Sequence, residues 1–139
     1  MTQKENQLLL KDLCARLPYG LKVKCEKYSF PVTVLYAGNI NEVKFVETGG
    51  IEHICLIKPY LRPMLSMTEE EYYEFRKISG LRKDGEYFSN HLPELGNSII
   101  TERVMVRTID WLNSHHFDYR GLIPMGLALE APEDMYKTE

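Results

Sequence analysis

The side chains best suited to chemistry in this chain are its four histidines and three cysteines. His53 and Cys55 fall on one face of a predicted strand over Ile51–Ile57, as a cysteine–histidine dyad would require. Such a dyad also needs a group that orients the histidine and donors that stabilise an oxyanion. No neighbouring residue supplies either, so packing of both side chains in the core is the favoured interpretation.

A second candidate is the run His115, His116 and Asp118, whose residue types could hold a metal ion. Adjacent side chains on a helix point about 100° apart, so the two histidines do not readily coordinate the same ion. Zinc sites also need three or four ligands in a set geometry. We therefore predict no metal site and no cofactor, and interpret the histidines as the end of a helix, where imidazoles suit the negative pole.

The cysteines Cys14, Cys25 and Cys55 are far apart, odd in number and embedded among apolar residues. No CxxC or Cys/His spacing is present, so the sequence favours neither a zinc site nor a disulfide scaffold. Three buried, reduced thiols fit a reducing cytosol. The polar N-terminus does not resemble a signal peptide, and no apolar run reaches membrane-spanning length. We expect a cytoplasmic protein with no membrane partner.

Sequence motifs of common enzymes are missing: there is no GxGxxG, Walker A loop, HExxH or GxSxG. The run Glu69-Glu70-Glu71 offers adjacent carboxylates, but consecutive helix positions fan around the axis, so the run is interpreted as a solvated helix start. We therefore predict a protein that is not an enzyme. The net charge of -3 also argues against coating nucleic acid or anionic membrane by bulk electrostatics.

Cationic and aromatic residues cluster in sequence around the proline-containing segment 58–63 and the helix that follows it. This hinge patch consists of Lys58, Tyr60, Arg62, Arg76, Arg82 and Lys83. If the helix packs beside the segment, the patch could hold single-stranded nucleic acid or a phosphorylated partner. The alternative is a set of solvated charges scattered around a helix end.

Two capping boxes predict where helices begin. Thr2 with Glu5 starts a helix that runs to about Arg16, and Thr68 with Glu71 starts another. The first helix is expected to face the core with Leu10, Leu13, Cys14 and Leu17. Its solvent side is expected to carry Lys11, Asp12 and Arg16. A third helix is expected from near Ser98 or Thr101 to about Ser114, followed by a short turn capped by Asp118.

Alternating or β-branched runs predict four strands between the first and second helices. Their ranges are Leu21–Glu26, Val32–Ala37, Val43–Glu47 and Ile51–Ile57. The fold class is therefore α+β: an N-terminal helix, a four-stranded mostly antiparallel sheet or small open barrel, then two main C-terminal helices and a short helical turn. Residues 1–139 form a single domain, with an acidic tail expected to fray from about residue 130.

Four stretches together resemble a group of small uncharacterised proteins from prophages and mobile elements of gut bacteria. They are Leu13–Gly20, Ile57–Met64, Met67–Tyr72 and Asp110–Ile123, followed by Gly126-Leu127-Ala128. The resemblance covers most of the chain. It implies an accessory protein of a phage or mobile element, acting in a bacterial cytoplasm, and it implies no activity, cofactor or site residue.

These observations lead to two main hypotheses of function, and a third, an unrecognised enzyme, would require a pocket where separated groups converge, for example His53 with His91 or His115. The first is a non-enzymatic accessory or adaptor protein that binds another protein, or a second copy of this chain, through the fourth strand and the proline segment. The second is a nucleic-acid-binding module that uses the hinge patch. The nine tyrosines and the missing catalytic motifs favour the first.

Overall fold

The computed structural model describes residues 2–37, 41–79 and 102–136, with side chains from residue 105 in the last range. Its helices are α1 Gln3–Arg16, α2 Glu69–Ser79 and α3 Glu102–Ser114. Its strands are β1 Lys22–Cys25, β2 Val32–Ala37, β3 Glu42–Phe45, β4 Ile51–His53, β5 Ile57–Leu61 and β6 Leu129–Glu130. Short 3-10 turns occupy Leu17–Tyr19, Ile54–Leu56 and Met64–Ser66.

The strands form one open sheet in the order β4-β3-β2-β1-β5-β6. The pairs among β1 to β5 are antiparallel, and β6 runs parallel to β5. The α+β class, the N-terminal helix and the later helices are confirmed. The prediction of four strands is wrong, because the described part of the chain contains six.

The count differs for two reasons: the expected fourth strand, Ile51–Ile57, is interrupted so that β4 and β5 are separate strands, and β6 lies where no strand was predicted. β4 ends at His53, whose Nδ1 accepts a hydrogen bond from the backbone N–H of Cys55 and so caps a 3-10 turn. Beyond the turn, the chain no longer pairs with β3, and β5 pairs with β1 instead. β5 includes Pro59, which has no N–H to donate to a neighbouring strand. β6 pairs with β5 only at Tyr60 and Leu61, so Pro59 has no partner strand on that side. A proline is tolerated there, as it is on an edge strand.

Two apolar clusters hold the domain together. In the larger one, α1 packs against the buried face of the sheet, with Leu9, Leu13, Val23 and Phe45 among its fully buried members. The smaller cluster lies between α2 and α3. Its buried members are Met64, Phe75, Trp111, Leu112, Phe117 and Tyr119. Trp111 is 7% exposed and lies in the middle of this cluster, in ring contact with Phe75 and Phe117.

The buried face of α1 is rotated from its predicted position. Asp12 and Arg16 are fully buried, whereas Cys14, expected in the core, is exposed. The buried side of α1 therefore includes two charged residues. Arg16 and Asp12 form an ion pair, and this pairing allows both side chains to be buried. Cys55 and His53 are exposed as well, so their assignment to the core was wrong. Cys25 is buried as expected.

Candidate functional site

Three stretches of the chain line a cleft of about 790 Å³. They are the stretch from the end of β5 to the start of α2, the end of α3, and the chain from Glu130 to Tyr136. Its polar lining includes Arg62, Ser66, Glu71, Ser114, His115, His116, Glu130, Glu133 and Tyr136. The volume is in the range of small-molecule sites.

One wall is formed by an ion pair between Arg62 and Glu71. The two guanidinium nitrogens Nη1 and Nη2 donate to the two carboxylate oxygens at 2.7 and 2.6 Å. The same guanidinium lies 4.2 Å from the ring centroid of Phe117. Partial burial by itself would raise the pKa of Glu71, but the hydrogen bonds from Arg62 and Thr68 hold it below its usual value. The positive charge of Arg62 is therefore already matched within this wall.

The floor is formed by His116, which follows the last turn of α3. Its backbone φ of 61° lies in the left-handed region, and this turns the side chain into the protein interior. The imidazole stacks on Tyr136 with ring centroids 3.7 Å apart. Burial, and then the nearby charges of Arg16 and His115, lower the pKa of His116 to about 3. The ring is therefore neutral near pH 7.

Tyr136 holds the chain after β6 against the sheet. Its hydroxyl accepts the backbone N–H of Lys22 at 3.0 Å and donates to the backbone oxygen of Tyr60 at 2.8 Å. Lys22 and Tyr60 lie just beyond the last pair of β1 and β5, which is Val23 with Pro59. The hydroxyl therefore bridges the two strands where their direct pairing ends. Burial raises the pKa of this phenol. These bonds hold Tyr136 against the sheet, and fraying of the acidic tail from about residue 130 stays a prediction.

Behind the cleft lies a buried polar network that the sequence analysis missed. Arg16 donates to Asp12 through Nε at 2.9 Å and to the backbone oxygen of Phe117 at 2.6 Å. Arg120 approaches the same Asp12 carboxylate at 3.3 Å. The spacing of Asp12 and Arg16, four residues apart in a helix, is a signal for an ion pair, but it does not reveal burial. The network connects α1 to the segment that carries His116.

The second candidate site is the face of the sheet opposite α1. Tyr36, Lys44 and Ile51 are paired directly across β2, β3 and β4, so they point to the same side. The apolar members of this open face are half exposed: Leu35 51%, Tyr36 44%, Val46 56% and Ile51 49%. An apolar group of this kind on neighbouring strands is typical of an interaction surface.

Two lysines lie on the same side of the sheet, towards the other end of the strands. Lys24 of β1 stands directly opposite Lys58 of β5, and both side chains are exposed. Like charges placed opposite each other across two strands are unfavourable. Neither lysine makes an ion pair with another residue in the described ranges. The open face, defined as Leu35, Tyr36, Lys44, Val46 and Ile51 with Lys24 and Lys58, therefore combines apolar area with unmatched positive charge.

The residues of the predicted hinge patch have different surroundings. Lys58 belongs to the open face, whereas Arg62 lines the cleft and is paired with Glu71. Arg76 lies on α2, with its guanidinium 5.7 Å from the ring centroid of Tyr72. Tyr60 is half-buried beside Tyr136. Arg82 and Lys83 lie outside the described residues. Whether all six form one patch stays a prediction.

The expectation of no metal site also stays a prediction. Within the residues that the structure describes, no group of three or more potential ligands is close enough to hold an ion. His115 Nδ1 lies 2.9 Å from the backbone oxygen of Trp111, on whose ring the imidazole stacks.

No helix in the described ranges has the length and apolar character needed to cross a membrane.

Comparison with known protein families, with curated proteins and with solved structures finds no match to this chain. The function is therefore argued from the chemistry of the open face and the cleft.

Proposed function

We propose that this protein is a non-enzymatic accessory or adaptor that binds an acidic, partly apolar segment of another protein on its open face. The observation that carries the proposal is the apolar group on β2, β3 and β4 together with the unmatched Lys24–Lys58 pair elsewhere on the same face. The setting we propose, a prophage or mobile element and a bacterial cytoplasm, rests on the sequence resemblance alone, because two of the three thiols expected to be buried are exposed.

The apolar part of the face would supply affinity. Leu35, Tyr36, Val46 and Ile51 each keep about half of their surface exposed to water. Removing apolar surface from water contributes roughly 25 cal/mol per Å², so covering these side chains would favour a complex. A partner segment with apolar residues at alternate positions would match side chains that lie on neighbouring strands.

The charged part of the face would select the partner. An acidic side chain placed between Lys24 and Lys58 would relieve their mutual repulsion. A basic segment would instead add a third positive charge at the same place. Charge complementarity of this kind acts mainly on specificity and on the association rate. The proposed partner segment therefore carries carboxylates beside its apolar residues.

Single-stranded nucleic acid is the second candidate ligand. It is favoured by the same two lysines together with the exposed ring of Tyr36, on which a base could stack. Lys44 lies 6.0 Å from that ring centroid and would contribute to phosphate binding. This alternative needs no acidic partner protein and predicts a steep loss of affinity with added salt.

The test is a fluorescence-anisotropy titration with three labelled ligands: an alternating Glu/Leu peptide, the matching Lys/Leu peptide and a single-stranded oligonucleotide. The proposal predicts saturable binding of the Glu/Leu peptide. It also predicts that Ile51→Ser and the double variant Lys24→Gln/Lys58→Gln each weaken that binding by about tenfold, which is about 1.4 kcal/mol. The matched controls are Leu65→Ser, which changes a side chain 68% exposed outside this face, and Lys77→Gln on α2.

Each outcome has a defined meaning. Binding of the oligonucleotide alone would replace the proposal with the nucleic-acid alternative. Equal binding of the acidic and basic peptides would remove the argument from charge. If no ligand binds and light scattering shows a dimer that Ile51→Ser dissociates, the open face is instead an interface between two copies of this chain.

A further inference from the structure

The chain after β6 forms a strap, residues 131–136, that covers the floor of the cleft. The ring of Tyr136 lies on His116, and the Ala131 N–H donates to the backbone oxygen of Leu61 at 2.8 Å. None of the six residues is fully buried or belongs to either apolar cluster. Segments with few buried apolar contacts open at a lower free energy than the core does. The strap can therefore detach while both clusters stay intact.

The imidazole under the strap lies in a place that suits only its neutral form. His116 is 4% exposed, and its Nδ1 has no hydrogen-bond partner among the described residues. The ring also bonds to the backbone of Tyr19. An imidazolium carries a proton on both nitrogens, so one of its two N–H groups would be buried without an acceptor. Such an unpaired donor is costly in a protein interior.

The side chains whose charges act most strongly on His116 are basic. They come from three elements of the fold: Arg16 of α1, Arg62 after β5 and His115 after α3. The phenol of Tyr136 is neutral, because burial raises its pKa. A proton on His116 would add a like charge to this surrounding. Burial, and then the basic neighbours, therefore hold the pKa of His116 at about 3 while the strap is docked.

Carboxylates around the cleft do not offset this charge. They are Asp12, Glu71 and Asp118, which accept hydrogen bonds from other residues, and Glu130 and Glu133, which are exposed to water. None of these five forms an ion pair with His116. Protonation of His116 under the docked strap is therefore uncompensated.

We propose that residues 131–136 are a pH-dependent latch: when His116 gains a proton, the strap undocks and opens the floor of the cleft while the rest of the domain stays folded. Undocking removes the Tyr136 ring from the imidazole and gives the charged ring access to water. The pKa of His116 rises on undocking from about 3 towards its ordinary value of 6.5. Docking is therefore complete above pH 6.5, and lowering the pH from about 7 to about 5 favours the undocked strap by about 25-fold.

The stacked contact between the two rings acts in the opposite direction. An imidazolium over the face of Tyr136 gains a cation–π attraction that a neutral ring does not have. The lost hydration of the charged ring and the three basic side chains oppose this attraction, so release of the strap is the expected net result. The two effects predict opposite pH dependences of docking, and the experiment separates them.

The experiment measures amide hydrogen exchange of the full chain by NMR, at about pH 7 and about pH 5 and at several low urea concentrations. The Ala131 N–H reports on the strap, and the N–H of Val34, which is bonded to the oxygen of Leu21, reports on the core. After correction for the intrinsic pH dependence of exchange, the protection of Ala131 is expected to fall about 25-fold in acid. It should stay below that of Val34 and be nearly independent of urea, because urea acts in proportion to the surface exposed on opening.

Two outcomes would overturn the latch. Equal protection and equal urea dependence of Ala131 and Val34 would show that the strap leaves only when the whole domain unfolds. Unchanged or higher protection of Ala131 at the lower pH would show that stacking on Tyr136 holds the charged ring in place.

Variants separate the imidazole from the strap. His116→Asn removes the titrating ring, and asparagine tolerates the positive φ of this position. The protection of Ala131 in this variant should change less than about threefold between the two pH values. Tyr136→Leu removes the covering ring, and the pKa of His116 measured by NMR should then rise towards 6.5. Tyr73→Leu, at a ring that is 60% exposed on α2, is the matched control and should leave both quantities as in the original chain.

Each variant can refute the latch by itself, so the proposal stays testable if one of them does not fold. A fall of Ala131 protection in His116→Asn as large as in the original chain would contradict the role of His116. An unchanged pKa of His116 in Tyr136→Leu would contradict the role of the strap. The measurements use no ligand and no residue of the open face, so they are independent of the proposed function.

Discussion

His116 and Tyr136 stack with ring centroids 3.7 Å apart and ring planes inclined by 20°. The contact joins the end of α3 to the chain that follows β6. Because Tyr136 also bonds to the backbone of Lys22 and Tyr60, it links the helical part of the domain to the centre of the sheet. The charge state of one imidazole is therefore coupled to the docking of the C-terminal chain.

Protonation of His116 is expected to destabilise the fold in mild acid. Its pKa is about 3 in the folded protein and 6.5 as the ordinary value, so the folded state favours the neutral ring. The resulting stability is complete above pH 6.5 and is lost as the pH falls towards 3. Between these values the free energy of unfolding should decrease by about 1.4 kcal/mol per pH unit.

Urea unfolding at about pH 7 and about pH 5.5 measures this effect, because ordinary carboxyl groups titrate mainly below that window. His116→Gln is the comparison, since an amide does not titrate. The variant is expected to be less stable at neutral pH and to have a smaller pH dependence. An unchanged pH dependence in the variant would contradict the assignment to His116.

Removing the Tyr136 hydroxyl should weaken the junction between β1 and β5. Tyr136→Phe leaves the Lys22 N–H and the Tyr60 carbonyl without this partner, and the expected loss is about 1–3 kcal/mol. Hydrogen exchange at the Lys22 amide should become faster. Tyr73→Phe, at a ring that is 60% exposed, is the control and should change neither quantity. Unchanged exchange at Lys22 would show that the hydroxyl does not protect this amide.

Breaking the buried pair of Asp12 and Arg16 should be costly. Asp12→Ala leaves the fully buried guanidinium with its backbone contact to Phe117 but without its carboxylate. The expected loss is about 3–5 kcal/mol in the free energy of unfolding. The double variant Asp12→Leu/Arg16→Met removes both charges and should recover much of that loss. Lys11→Ala, at the neighbouring exposed position, should stay within about 0.5 kcal/mol. A double variant no more stable than Asp12→Ala would argue against an uncompensated charge as the cause.

The pair of Arg62 and Glu71 should contribute to stability in a pH-dependent way. The pKa of Glu71 is lowered in the folded protein, so its contribution is present above its ordinary pKa and is lost as the pH falls through the lowered one. A double-mutant cycle with Arg62→Gln and Glu71→Gln is expected to give a coupling of about 1 kcal/mol at neutral pH, since the two side chains are 24% and 18% exposed. A coupling that persists after Glu71 is protonated would contradict the ionic origin.

The features predicted correctly from the sequence depend on neighbouring residues. Both capping boxes form as expected: Thr2 with Glu5, and Thr68 with Glu71, exchange their hydrogen bonds over three residues. Asp118 caps the turn after it by accepting from the backbone N–H groups of Leu122 and Ile123. Propensity and capping act within one helical turn, so the residue order alone was enough to place these elements.

The features that sequence reasoning missed depend on contacts between distant residues. Hydrophobic alternation does not show that β4 ends at His53. Pairing with β3 stops there, and the imidazole accepts a hydrogen bond from the turn that follows. Burial of Arg16 depends on the backbone oxygen of Phe117, which is 101 residues away in the sequence. Docking of Tyr136 depends on Lys22, at a separation of 114 residues. The order of residues is therefore enough to place the helices, their caps and the α+β class. The strand order, the cleft and the neutral state of His116 depend on contacts between distant residues, because burial and pKa are set by the groups that folding brings together.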